Sequence, residues 1–441
     1  MSSEKSSNNV ISLPIIVLII FFSAILVSTL LFVPRPVVVQ EKELWRIQLG
    51  DYWNEIYHID QILVSDLFHA TNGSEVITLT DSIDVINGKS GILLSNPNIS
   101  SLEVGDWDVN AFQLIYNESD PHLITTWFGE HRDYGIQVVS FDPFRSRAVN
   151  MTDILTTGNT SHYLSSIHAV QSGSTQAQII LGTKKGKILA YHLDALNLTW
   201  NTTIDPYDFV ISGIDVLPAK EGVFAIGSDI HFLNSSTGEM IWVKNQNISY
   251  CQSALTIDAN QDGTDDLILT FIESDRIYST IIAIDGKDGA EIWRKSFTEP
   301  EPYRLSSNSD YLIGSDNSNI NLINVSTGNI LWSFPVKSLD YTHGSPPTTL
   351  LSADFVPNVP GFEIVFSISM SGNPPEFRNL FILSANGNLI WTYNLQVLEP
   401  DFEIGIAYLM PKSLVAADLT RDGSLELLIG TTNSWLLAFD F

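Results

Sequence analysis

The stretches STGEMIW (236–242), KDGAEIW (287–293), STGNILW (326–332) and SANGNLIW (384–391) share one phrase: a turn, a Gly, and a Trp four residues later. A phrase that recurs at intervals of about 50 residues implies an architecture built from one repeated supersecondary unit. The sequence around each phrase has a fixed order. An acidic turn leads into an apolar strand, as in DGTDDLILTF (262–271) and DGSLELLIGT (422–431). A second strand ends in an acid or Asn, as in IIAIDGKDG (281–289), and the Gly turn then opens the Trp strand.

From Glu43 onward the chain is a series of short apolar runs separated by Gly, Asn, Asp and Ser, which is an all-β signature. KILAYHLD (187–194) and SWLLAFDF (434–441) alternate with period two, the mark of a strand with one buried face. No amphipathic helix stands out. Eight units follow this order, near 56–95, 102–150, 163–204, 210–246, 251–297, 303–337, 346–395 and 411–441. The first two lack a Trp at the expected place. The third has Trp200, with Leu196 in place of the turn Gly.

The last unit stops at Phe441 without a Trp strand. The missing piece stands at the other end, as ELWRIQLG (43–50) with Trp45. The pattern therefore predicts a closed ring, an eight-bladed β-propeller in which strand 43–50 completes the last blade and hides the sheet edges. Seven blades are the alternative, because the first two units are degenerate. The Gly is expected in a turn that needs positive φ. Each Trp is expected to pack between blades, where an indole buries about 200 Å².

Ahead of this region, residues 13–33 form an uncharged apolar run of 21 residues. As a helix it spans roughly 30 Å, the thickness of a bilayer core. It is too long for the apolar core of a cleaved signal peptide, and PRPVVV follows it without a small-x-small cleavage site. The expected organisation is a polar tail (1–12), a transmembrane signal anchor (13–33), a linker (34–42) and the propeller (43–441). Lys5, Arg35 and Lys42 flank the span and give the positive-inside rule little to act on. Ten N-x-S/T sequons begin at Asn72, Asn98, Asn117, Asn150, Asn159, Asn197, Asn201, Asn234, Asn247 and Asn324. All follow the span, which points to an extracytoplasmic propeller at a cell membrane.

The chain carries a formal net charge of -28, with 50 acidic and 22 basic residues. Such a field repels nucleic acid, so no nucleic-acid partner is expected. It favours solubility and draws cations. The one cysteine, Cys251, excludes an intrachain disulfide and any zinc site built on paired Cys. It is expected in a strand, as a small buried apolar residue.

The Gly–Trp unit resembles the PQQ-type repeat of quinoprotein-dehydrogenase-like β-propellers, and the DANQDG turn (258–263) resembles the FG-GAP repeats of integrin-α-like propellers. The resemblance covers residues 43–441 and implies an eight-bladed ring. It does not imply the dehydrogenase activity. Those enzymes carry a vicinal Cys pair at the cofactor, and a one-Cys chain has none. PQQ is not an expected cofactor. No G-x-S-x-G, HExxH or P-loop is present, and no catalytic residue is assigned.

The sharpest local motif is DANQDGTDD (258–266). Asp258, Asn260 and Asp262 alternate, Gly263 permits the turn, the Thr264 carbonyl is a further donor, and Asp266 closes the loop. Calcium takes six to eight such oxygens, and the FG-GAP likeness assigns these residues as its ligands. Leu269 stands where an EF-hand has its Glu, so the loop is not an EF-hand. A second loop, DLTRDGSLE (418–426), offers Asp418, Thr420, Asp422 and Glu426, with Arg421 opposing a cation. The loops at Asp66, Asp106 and Asp354 are expected to be turns.

The function expected is a membrane-tethered, non-catalytic scaffold that binds proteins or glycans through loops on a rigid ring. The segments 129–147 and 370–378, with the edge 345–347, are the candidate loops. The alternative is a PQQ-dependent dehydrogenase or another enzyme using the central funnel.

Overall fold

The structure is a computed structural model. It describes residues 42–49, 59, 61–65, 67, 74–79, 83–94, 107–117, 120–129, 134–141, 144–150, 164–171, 177–183, 186–193, 195–204, 215–219, 222–273, 279–297, 304–308, 310–316, 318–339, 347–368, 380–395, 411–432 and 434–441. The polar tail, the expected membrane span and the linker up to residue 41 lie outside the described residues. Among the described residues no helix is long and apolar enough to cross a membrane.

Eight antiparallel sheets form among the described residues. Numbered along the chain, they lie within 61–87, 107–150, 164–203, 215–244, 248–297, 304–335, 347–393 and 411–440. Sheet 1 has three strands, with an isolated bridge between Ile86 and Leu93. The others have four. The fourth strand of sheet 8 comes from the start of the chain: Lys42–Gln48 pairs antiparallel with Trp435–Asp440, placing Trp45 opposite Ala438.

The first strand of each sheet lies beside the first strand of the next. The cycle closes where Pro411–Ala417 of sheet 8 meets Gln61–Ser65 of sheet 1. This is a β-propeller. Its middle strands read as unbroken apolar runs because a sheet covers each of their faces. In Asp266–Glu273, Leu267, Leu269 and Phe271 pack on sheet 4 with Phe224, and Ile268 packs on sheet 6 with Leu312. Outer strands alternate instead. In Ile330–Pro335, Ile330, Trp332 and Phe334 are half-buried, and Leu331, Ser333 and Pro335 are exposed. Cys251 lies in the strand Ile248–Ile257, in the core between sheets 4 and 5.

In sheets 2 to 7 successive strands alternate in direction, so the connection between strands 1 and 2 and that between strands 3 and 4 lie at the same end of the sheet. The acidic loops and the Gly turns are therefore neighbours. One expectation is corrected here. Segment 129–147 is mostly strand, Tyr134–Phe141 and Phe144–Asn150, and is no long loop. Its FRSRAVN sequence carries Arg145, Ser146 and Arg147 in the fourth strand of the sheet, the strand with no further neighbour on its outer side. The loop expected at 370–378 and residues 345–346 lie outside the described residues.

Candidate functional site: seams and acidic loops

The repeated Trp and Gly make the seams. Each indole N–H donates to a backbone carbonyl of the following sheet: Trp200 to Ser235 (2.9 Å), Trp242 to Gly286 (2.9 Å), Trp293 to Val325 (2.7 Å) and Trp332 to Ala385 (2.9 Å). Trp45 of the closing strand does the same to Gly88 of sheet 1, at 2.6 Å. The turn Gly of the following sheet lies against that ring. A Cβ on Gly328, at φ 68°, would sit 2.6 Å from the Trp293 ring. Trp391 meets no such turn. It packs edge-on against Phe439 and Phe441, with centroids 5.8 and 5.3 Å away.

Beside these seams stand the acidic loops. In 258–266, Gln261 and Gly263 take positive φ (62° and 90°) and turn the chain back on itself. The Asp258 carboxylate accepts the N–H groups of Asp262 (3.0 Å) and Gly263 (2.9 Å). The Asn260 carbonyl oxygen accepts from Asp262 N–H at 2.9 Å, and Asp262 accepts from Thr264 N–H at 2.8 Å. Asn260 Nδ2 donates to Asp285 at 3.0 Å, tying the loop to the neighbouring turn. The Thr264 N–H holds the Asp262 carboxyl below its ordinary range.

Asp266 stands apart from the other four. It is fully buried and faces inward. One oxygen accepts the N–H groups of Ala259 (2.9 Å) and Asn260 (3.1 Å), and the other accepts Gly286 N–H (2.9 Å). Burial raises its pKa. Its role in this geometry is a clasp that gathers loop backbone, with Asp258, Asn260 and Asp262 left around the exposed turn.

The loop 418–426 repeats the plan with one more methylene at its end. Asp418 accepts from Asp422 N–H (3.1 Å) and Gly423 N–H (3.0 Å). Asp422 accepts from Ser424 N–H at 2.9 Å, which lowers its pKa. Glu426 accepts Leu419 N–H (2.6 Å) on one oxygen and the Thr420 hydroxyl (3.1 Å) on the other. The longer side chain brings its carboxylate to the turn. Carboxylate oxygens of Asp418, Asp422 and Glu426 lie within 4.8 Å of one another, the one such trio among the described residues. Every donor in both loops is oxygen, and a carboxylate oxygen that accepts one N–H keeps a lone pair for a cation. The residues fit a hard cation such as calcium.

The clasp itself went unread in the sequence. Glu75 and Glu363 repeat it in sheets 1 and 7, accepting N–H groups from Leu67 (2.7 Å), and from Phe355 and Val356 (both 3.0 Å). Its signal is an Asp followed at once by a buried apolar residue, with an acid eight or nine positions after the Asp at the start of the next strand.

No family model matches the chain, and no curated protein matches it in sequence. Among solved structures, BamB from Moraxella catarrhalis is similar at 14% identity and a TM-score of 0.56, covering 91% of this chain and 100% of that one. The computationally designed Ika8 protein is similar at 13% identity and a TM-score of 0.55, with the same coverage. At these identities the likeness is one of fold, a β-propeller.

Proposed function

We propose that this chain is a membrane-tethered, extracytoplasmic, eight-bladed β-propeller that serves as a non-catalytic binding scaffold for proteins or glycans, with calcium in its acidic loops. The observation that carries the reading is the sealed ring: the chain's first described strand completes its last sheet, and six Trp residues pack the seams. A ring of this kind is a rigid platform for loops, which is where binding residues concentrate. The apolar run 13–33 supports the tether. The ten sequons beyond it support the extracytoplasmic side, and Asn197, Asn201 and Asn247 are exposed.

The test is reconstitution of the full chain in nanodiscs with PQQ and calcium. No oxidation of alcohols or sugars, together with chelator-sensitive binding on a glycan array or to crosslinked surface proteins, is expected. Cofactor-dependent turnover would replace the scaffold reading with the dehydrogenase. Protease shaving of intact cells checks the topology, and an uncut propeller would place it in the cytosol.

A further inference from the structure

Of the four clasping acids, Glu363 is the one with an oxygen left over. It opens the strand Glu363–Ile368 and is fully buried. Its Oε2 accepts the N–H groups of Phe355 and Val356, and its Oε1 has no hydrogen-bond partner. The sequence gives the reason. In sheet 5 the second oxygen of Asp266 takes Gly286 N–H, in a turn where Gly289 N–H bonds to Asp285. The equivalent turn of sheet 7 is one residue shorter, with Gly387 N–H bonding to Ser384. In sheet 8 the second oxygen of Glu426 takes the Thr420 hydroxyl, and Val356 occupies that position in sheet 7.

We propose that Glu363 is a proton-operated latch: protonated, it clasps loop 354–362, and loss of the proton opens the clasp and loosens the seam between sheets 7 and 8. A buried carboxylate oxygen without a donor is costly, and a neutral carboxyl is far less so. Burial pushes the Glu363 pKa up to about 7, against the pull of the two N–H bonds, and the exposed Asp354 charge raises it further. The strands on either side bring Ala353 and Ser384 next to it. The facing strand of sheet 8 presents Leu427 and Ile429 to this seam. Glu426 faces the opposite side, as Leu428 does, and Lys412 lies at the far end of its strand. The clasped Phe355 and Val356 pack with Leu427 and Phe439, so the latch bears on the seam.

The sign follows from a raised carboxyl pKa. The stabilisation is whole below the ordinary Glu range and is lost as pH rises through about 7. Hydrogen exchange of the full chain in detergent, corrected for intrinsic rate, reads it at the Phe355 and Val356 amides. Their protection is expected to fall by up to about tenfold per pH unit between the ordinary Glu value of 4.5 and about 7, and to level off above that. Glu363→Gln should abolish that fall. Val356→Thr, which restores the hydroxyl found in sheet 8, should shrink the fall between about pH 5 and 7 and leave the loop better protected than wild type at pH 8. Flat protection in the wild type, an unchanged slope in Glu363→Gln, or a Val356→Thr profile matching wild type would each overturn the latch.

Discussion

Gly289 lies on the indole of Trp242, the Trp of the preceding sheet, and not on Trp293 four residues further along its own strand. Each Gly in the repeat thus answers to the Trp before it. This pairing accounts for the irregular units. Unit 1 has Gly91 and no Trp of its own, because Gly91 receives Trp45 from the closing strand. Unit 2 follows a unit without Trp, and its third turn, between Phe141 and Phe144, has no Gly. Unit 3 follows a unit with no Trp at the repeat position and places Leu196 at a positive φ of 49°.

Two glycines separate backbone strain from steric exclusion. Gly328 has positive φ and an indole in the way, whereas Gly263, at φ 90°, has nothing within 4 Å. Gly263→Ala should cost about 1–2 kcal/mol for the left-handed backbone alone. Gly328→Ala adds overpacking and should cost about 2–5 kcal/mol. Urea unfolding of both variants checks the order, and equal losses would contradict the seam contact.

Leu196 tests the same relationship from the other side. Leu196→Gly removes about 1–2 kcal/mol of left-handed strain, and deletes a buried side chain worth about 2–5 kcal/mol. The variant should therefore be net destabilised, by about 1–3 kcal/mol. A gain in stability would mean that the Leu side chain contributes no packing there.

Clasp and turn acids should part company. Asp266→Ala leaves three backbone N–H groups without their acceptor and should cost about 3–5 kcal/mol with or without calcium. Asp262→Ala and Asp422→Ala should leave the calcium-free Tm near wild type and remove any rise in Tm on adding calcium. Thermal melts with calcium and with chelator decide it, and a calcium response that survives both turn substitutions would rule out these loops as its source.

Trp45 is the hinge of ring closure, bonded to Gly88 and packed with Leu428 and Leu436. Trp45→Ala should cost about 3–5 kcal/mol. Hydrogen exchange in Lys42–Gln48 should rise first. Exchange that rises equally in all sheets would place the weak point elsewhere.

The sequence on its own determined the β class, the positions of most strands and the Gly–Trp spacing, because period-two burial and positive-φ turns are local demands that each short stretch must satisfy alone. It also pointed to the closing strand through the stray Trp45. Tertiary structure alone decided three things: which Trp each Gly serves, that Asp266 turns inward while Glu426 reaches the turn, and that Glu363 keeps an oxygen without a donor. Each depends on a neighbour tens of residues away in sequence, on one methylene of reach, or on one residue of turn length. Such differences have no meaning until the sheets are packed side by side.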